Sequence, residues 1–250
     1  MTVEAYNPKE LKSFKDIETV YCSGCFHGTI NRLIGEAIDK MGLKESVIGV
    51  NTQGCASFIS DYMNLDFVEA PAGLAPSVAM GIKNVHPDKI LLTYQGDGDL
   101  LSFGMSDLIH AAAKGSKITV FLINNLVMAQ TGGQVSPTSI LGQITDTTPY
   151  GKSIEKDGNH INIAEMIARL SGAAYVSRVT VDIPSRIEQA RKTIQEALSF
   201  QMEGKGFSFV EFLSTCPTYW YKTPIESRTW LQETLIQQFP IGLIKKSYTK

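Results

Sequence analysis

The feature that most constrains this chain is the turn Gly96-Asp97-Gly98, set between an apolar run and a helical pattern. Residues 89–95 have the length and bounding of a buried strand. Residues 100–114 read as a helix and residues 118–123 as the next strand, which Asn124-Asn125 closes. In a parallel α/β sheet both strand ends fall on one edge, where ligands bind. Backbone N–H groups of a glycine-rich turn at a helix start attract phosphate. Asp97 alone would repel a diphosphate, and a divalent cation between the two removes the conflict. Mg²⁺ takes hard oxygen ligands and shares them with substrate phosphates. Asp97 and an Asn side-chain oxygen suit that role, so the local chemistry points to a Mg²⁺-diphosphate site.

The spacing adds to this. Gly-Asp-Gly, 25 intervening residues and then Asn-Asn resembles the thiamine diphosphate-binding motif. That resemblance implies that Asp97, Asn125 and the Val127 carbonyl hold the metal.

Taken in order, residues 1–20 read as a leader lying on the surface or on a partner. Thr29 is placed to cap a helix over 30–41, whose apolar residues form one stripe. Residues 47–51 form the first core strand and deliver Thr52-Gln53-Gly54-Cys55 to the ligand edge. A short strand is expected at 67–70 and a helix of small residues at 72–81. Residues 126–159 show little periodicity and many turn formers, and a loop that long in a compact domain is usually functional. A helix at 161–170, a strand at 174–179, a helix at 185–201 opened by Pro184 and a last core strand at 207–213 follow. Five or six strands alternating with helices predict an α/β fold, a doubly wound, mostly parallel sheet. The expected organisation is a leader over 1–20, a cofactor domain over 21–218, and a tail over 219–250 that packs on the domain or a partner.

The 250 residues and 43% hydrophobic content suffice for one sizeable α/β domain. A net charge of −2 with no basic stripe argues against nucleic acid. No apolar run approaches the roughly 20 residues of a membrane span, and no signal-peptide core is seen, so a cytoplasmic protein is expected. There are four cysteines: Cys22, Cys25, Cys55 and Cys216. In a reducing compartment they favour metal or redox chemistry over disulfides. By spacing alone Cys22-x₂-Cys25 fits zinc, a thiol–disulfide couple or an iron–sulfur cluster. Cys216-Pro217 resembles the Cys-Pro that closes a cluster-binding set. Four-cysteine zinc sites usually pair two CxxC elements, and only one is present here.

Together these residues resemble the β subunit, the thiamine diphosphate-binding subunit, of the 2-oxoacid:ferredoxin oxidoreductases. The likeness covers roughly residues 20–240. It rests on Cys22-x₂-Cys25-x-His27-Gly28, Gly54-Cys55, Tyr94-Gln95-Gly96-Asp97-Gly98-Asp99, Asn124-Asn125, Thr131-Gly132-Gly133-Gln134, Ser136-Pro137-Thr138 and Cys216-Pro217-Thr218. It implies a [4Fe–4S] cluster on Cys22, Cys25, Cys55 and Cys216, and Mg²⁺ on Asp97, Asn125 and Val127. Thiamine diphosphate would be held by Thr52, Gly54, Cys55, Gly73, Gly96, Asp97, Gly98, Asp99, Asn125, Val127, Ala129 and Thr131. The activity implied is CoA-dependent oxidative decarboxylation of a 2-oxoacid, with ferredoxin accepting electrons. The partners implied are an α subunit and further γ or δ subunits, one of which supplies the activating carboxylate. The segments 147–151 and 205–211 are closest to the 2-oxoisovalerate-type branch.

Several positions depart from the family pattern. Cys22-Ser23-Gly24-Cys25-Phe26 stands for Cys-Pro-Gly-Cys-Gly, and Ala56 for a serine. Val127-Met128-Ala129 stands for Ile-Tyr-Gly. Ala72-Gly73-Leu74 stands where the family carries His-Gly-Arg, so donors for a phosphate or substrate carboxylate are lost. Two competitors follow. A non-redox thiamine enzyme would carry both thiamine domains on a far longer chain. A degenerate, cofactor-holding scaffold subunit fits the apolar Ala72-Gly73-Leu74.

Overall fold

The computed structural model describes residues 11–15 and 17–247. The strands, in chain order, are β1 (Val47–Asn51), β2 (Asp66–Glu69), β3 (Ile90–Gly96), β4 (Thr119–Asn124), β5 (Val127–Met128), β6 (Gln134–Val135), β7 (Ala173–Thr180), β8 (Phe207–Leu213) and β9 (Gly242–Lys246). Seven of them form one sheet in the order β2-β1-β3-β4-β8-β7-β9. All neighbours in it pair in parallel except β9, which runs antiparallel to β7. β5 and β6 form a separate two-stranded hairpin.

The central strands are apolar on both sides because helices cover both faces, as a doubly wound sheet requires. Leu92, Tyr94, Phe121, Ile123, Val210 and Phe212 pack toward helices His27–Lys40 and Pro184–Met202. The alternate residues Leu91, Val120, Leu122, Phe207 and Phe209 pack toward Ala75–Val85, Met105–Lys114 and Ile163–Arg169. The register places the carboxyl ends side by side, with Asn51 beside Tyr94, Gly96 beside Ile123 and Asn124 beside Leu213. The turns after β1, β3, β4 and β8 therefore leave from one edge.

Four local expectations are corrected. Residues 100–114 are not one helix. Asp97–Phe103 and Met105–Lys114 are separated by Gly104, whose Cβ position would lie 1.9 Å from the Gly73 carbonyl oxygen. Thr29 lies inside its helix rather than capping it. The helix starts at His27, with Phe26 as its N-cap and no side-chain cap. The helix expected at 72–81 spans Ala75–Val85, because Gly73 is left-handed at φ +78° and Pro76 takes the first turn. The stretch 126–159 contains the β5–β6 hairpin and a short helix, Ile154–Asp157.

At the chain's ends, residues 1–10 and 248–250 lie outside the described residues. Ser13 bonds Asp39 through both its N–H and its hydroxyl, and Phe14 bridges Met63. Trp220, Leu231, Leu235 and Phe239 form an apolar cluster with Leu126, Val127, Leu213 and Cys216. The segment after Trp220 then closes the sheet with β9. Lys245 donates to the Leu170 carbonyl at 2.7 Å, so it is not a solvated end.

Candidate functional site

β3 ends on Gly96, and Asp97 opens the next helix. Asp97 is almost fully buried. Its Oδ2 accepts the Ser136 hydroxyl at 2.6 Å and the Thr138 hydroxyl, and the N–H groups of Gly98 and Asn125 also point at the carboxylate. Burial pushes its carboxyl up to about 6, while those donors pull it the other way. A dication would offset the same desolvation. Met128 crosses the turn so closely that a Cβ on Gly98 would lie 2.0 Å from its Cγ. The turn thus needs glycine at this position, independently of any ligand.

β4 ends on Asn124, whose amide donates to Glu211 at 2.7 Å and whose oxygen accepts the Leu126 N–H. Leu126 is left-handed at φ +61°, a conformation that is costly without glycine. Its carbonyl is held by Ser139 at 2.6 Å and Gln143 at 2.9 Å, which over-determines the strained residue. Asn125 is buried, and its Oδ1 accepts the Val127 N–H at 3.2 Å. That leaves a second lone pair on the oxygen. The backbone carbonyl of Asn125 accepts the Trp220 indole N–H at 2.8 Å.

Asp99 is tied to three elements. Its carboxylate accepts the Thr52 hydroxyl after β1, the Gln95 amide of β3 at 2.7 Å, and the Gly73 N–H at 2.7 Å. Gly73 in turn packs backbone to backbone on Gly104. The Thr52 hydroxyl proton and the Gly73 N–H are used in this brace.

The four cysteines feel one another's charge. Cys25 N–H bonds the Cys22 carbonyl at 3.0 Å in a turn whose Gly24 lies against Pro224. The Thr215 hydroxyl donates to the Gly24 carbonyl at 2.5 Å, joining that turn to the segment before Cys216. Cys25 and Cys216 are each pushed up to about 12, first by burial, and the charges of the other cysteines add to the rise. Cys55 is raised too, by burial and by Cys22. The Tyr219 N–H points at the Cys216 sulfur. Thiols coupled in this way suit a cationic iron cluster, which binds thiolates and is tuned by N–H donors on sulfur. Among the described residues no three His, Cys, Asp or Glu side chains stand together at the spacing of a single-ion site. A cuboidal cluster puts each thiolate on a different iron, so its ligands stand further apart than those of zinc.

The Asp97 turn and Cys55 open on one cleft. Gly54, Cys55, Gly96, Asp97, Gly98, Asp99, Asn125, Val127, Ala129 and Thr131 lie in its wall, and Thr52 and Gly73 do not. Thr131 directs its hydroxyl to Gln134 at 2.6 Å. Of the cysteines, Cys55 alone is in the wall. His27 also lines it, bonded through Nδ1 to the Tyr94 hydroxyl at 2.7 Å and stacked on Tyr21. Burial lowers its imidazole to about 3, so the ring is neutral. Gln53, Ala56, Ala72, Phe103, Met128 and Gln130 complete the wall, which contains no lysine or arginine. Ser136 and Thr138 had a signal in the motif Ser-Pro-Thr, but not their target, Asp97.

Residues 51–212 match the family described as thiamine pyrophosphate enzyme, C-terminal TPP binding domain. The chain is 39% identical over 223 residues to ketoisovalerate oxidoreductase subunit VorA of Methanothermobacter thermautotrophicus, covering 89% of this chain and 47% of that one. It therefore spans about half the length of that relative. It is 37% identical over 203 residues to 2-oxoglutarate synthase subunit KorB of Methanocaldococcus jannaschii, covering 80% of this chain and 70% of that one. Among solved structures, it superposes with a TM-score of 0.80 and 25% identity on 2-oxoglutarate:ferredoxin oxidoreductase from Magnetococcus marinus, solved with 2-oxoglutarate, coenzyme A and succinyl-CoA bound. That match covers 99% of this chain and 87% of that one. No described helix is long and apolar enough to cross a membrane. With the aspartate turn, the paired asparagines and the cysteine set on one edge, the chain belongs to the family of thiamine diphosphate-binding β subunits of the 2-oxoacid:ferredoxin oxidoreductases.

Proposed function

We propose that the chain is the cofactor-bearing half of a cytoplasmic hetero-oligomer that oxidatively decarboxylates a 2-oxoacid, passes the acyl group to coenzyme A and delivers electrons to ferredoxin. Thiamine diphosphate when bound supplies an electron sink for cleavage beside the carbonyl. Asp97, Asn125 and the Val127 carbonyl hold its Mg²⁺, with Ser136 and Thr138 fixing the Asp97 carboxylate. Gly96 and Gly98 admit the diphosphate to the turn. Cys22, Cys25, Cys55 and Cys216 carry a [4Fe–4S] cluster. An α subunit, with γ or δ subunits, completes the site and provides the activating carboxylate.

The observation that carries this reading is the shared cavity: Cys55 and Asp97 lie in one wall, and the charges of the four thiols are felt from one to another. The absence of lysine and arginine from that wall favours a monocarboxylic acid with an apolar side chain, of the branched-chain type. A second carboxylate would need a cation from a partner.

The test is anaerobic purification with iron and sulfide analysis, expecting about four irons per chain. Calorimetric titration with Mg²⁺-thiamine diphosphate follows, then reduction of a low-potential dye by 2-oxoacids and coenzyme A in the assembled enzyme. The apolar Ala72 also supports a second reading, a scaffold subunit without turnover. A loaded complex that reduces dye with no 2-oxoacid, pyruvate and 2-oxoglutarate included, would favour it.

A further inference from the structure

Trp220 sits between the two regions. The short helix Pro217–Trp220 has Cys216 as its N-cap, and the Trp220 N–H bonds the Cys216 carbonyl at 2.9 Å. From the other side of the same residue, the indole N–H donates to the Asn125 carbonyl at 2.8 Å. Trp220 is 7% exposed and is wedged edge-on against Trp230 at 4.5 Å. Its neighbours press on the same loop: a Cβ on Gly133 would lie 2.3 Å from the Tyr219 ring, and Tyr221 bonds Asp146 at 2.7 Å. The segment that begins at a cysteine therefore clamps the loop that begins at the paired asparagines. The indole bond reaches the backbone carbonyl of Asn125 itself.

We propose, on the reading of this chain as a carrier of both cofactors, that Trp220 is a positioning residue that couples them. Filling the diphosphate site fixes Asn125, Asn125 fixes the indole, and the indole fixes the helix turn on which Cys216 and its Tyr219 N–H donor depend. Hydrogen bonds to cluster sulfurs tune a cluster's potential, so cofactor binding is felt at the iron. By linkage, reduction of the cluster changes cofactor affinity by the same factor.

The experiment uses the holoenzyme with its partner subunits, cluster-loaded and depleted of thiamine diphosphate. Mg²⁺-thiamine diphosphate is titrated by calorimetry into wild type, Trp220→Phe and Trp230→Phe. The EPR spectrum of the dithionite-reduced cluster is recorded with and without saturating cofactor. Trp220→Phe loses one hydrogen bond and binds roughly five- to tenfold more weakly, and its spectrum no longer responds to cofactor. Trp230→Phe keeps the indole of Trp220, stays within about twofold of wild type by the same reckoning, and keeps the response. Wild-type affinity together with an unchanged response in Trp220→Phe overturns the proposal. Should that variant not fold, the wild type decides alone, because a fully loaded wild type whose cluster spectrum ignores the cofactor also overturns it. A wild type that carries no cluster, or binds no cofactor, fails at the earlier step and overturns the functional reading itself.

Discussion

The Asp99 carboxylate accepts the Gly73 backbone N–H at 2.7 Å, across 26 residues of sequence. It also holds Gln95 and Thr52, both fully buried, so one side chain joins β1, β3 and the entry to helix Ala75–Val85. Its removal leaves three donors without their acceptor. Asp99→Ala is expected to lower unfolding free energy by roughly 2–4 kcal/mol, since each unsatisfied buried donor costs about 1–3 kcal/mol. Urea denaturation checks this. A change below about 0.5 kcal/mol, the scale of ordinary surface substitutions, would show that the brace contributes little.

Two glycines respond in opposite directions to alanine. At Gly104 the new Cβ would meet the Gly73 carbonyl at 1.9 Å, which is backbone and cannot yield cheaply. At Gly81, exposed in helix Ala75–Val85, no atom lies within 4 Å of the new Cβ. Gly104→Ala is expected to destabilise by about 2 kcal/mol or more, as overpacking does. Gly81→Ala is expected to stabilise by roughly 0.5–1 kcal/mol through helix propensity. Thermal melts of the pair give the sign directly.

The Gly73–Gly104 contact also marks where sequence reading stops. β1 and β8 were legible to the residue, because their apolar runs end in polar residues and both faces are covered. The break at Gly104 was not, because its cause is a carbonyl on another element. β9 escaped because it is a half-exposed edge strand, Leu243 being 54% exposed, with no buried run to announce it. In the site, the spacing from Asp97 to Asn125 was readable because two adjacent strands carry it. The donors Ser136 and Thr138 reach Asp97 from a loop without periodicity, so only the structure shows what they touch.

Arg178, fully buried, bonds Glu211 through Nε at 2.8 Å and forks onto Glu165 at 2.8 and 2.7 Å. Glu211 continues to Asn124, so the ion pair supports the loop that carries Asn125. Removing one partner strands a buried charge, and Arg178→Met is expected to cost about 3–5 kcal/mol. Arg178→Met with Glu211→Leu should recover much of that loss. Glu165 gives the pH dependence. Desolvation raises its carboxyl, but the hydrogen bonds and charge of Arg178 outweigh this and hold it below the usual range. A depressed folded value means the stabilisation is complete above the unfolded value of about 4.3 and is lost as pH falls through the folded one. Glu165→Gln should therefore be less stable than wild type at neutral pH, and the gap should close as pH falls below about 4. Chemical denaturation across that range measures it. A gap independent of pH would remove the ion pair as its source.

The Asp97 carboxylate is held by two hydroxyls that lie outside the cavity wall, which separates its orientation from its charge. Asp97→Ala removes the proposed metal ligand and should abolish Mg²⁺-thiamine diphosphate binding, with the iron content unchanged. Ser136→Ala keeps the carboxylate but frees it to rotate. Residues that orient a metal ligand typically matter by 10–100-fold in metal affinity, so Ser136→Ala should weaken cofactor binding by about tenfold. Thr138 donates to the same oxygen, and also meets the Ser136 hydroxyl at 3.1 Å, so the double variant Ser136→Ala, Thr138→Val should exceed either single change. Both hydroxyls are buried, and deleting the pair leaves Asp97 desolvated with only backbone donors, which should raise its carboxyl further. Calorimetric titration of each variant with Mg²⁺-thiamine diphosphate, beside iron analysis of the same samples, separates the outcomes. Full-affinity binding by Asp97→Ala would detach the turn from the cofactor. Full-affinity binding by the double variant would leave Asp97 as the ligand and show that its orientation comes from the Gly98 and Asn125 N–H groups alone.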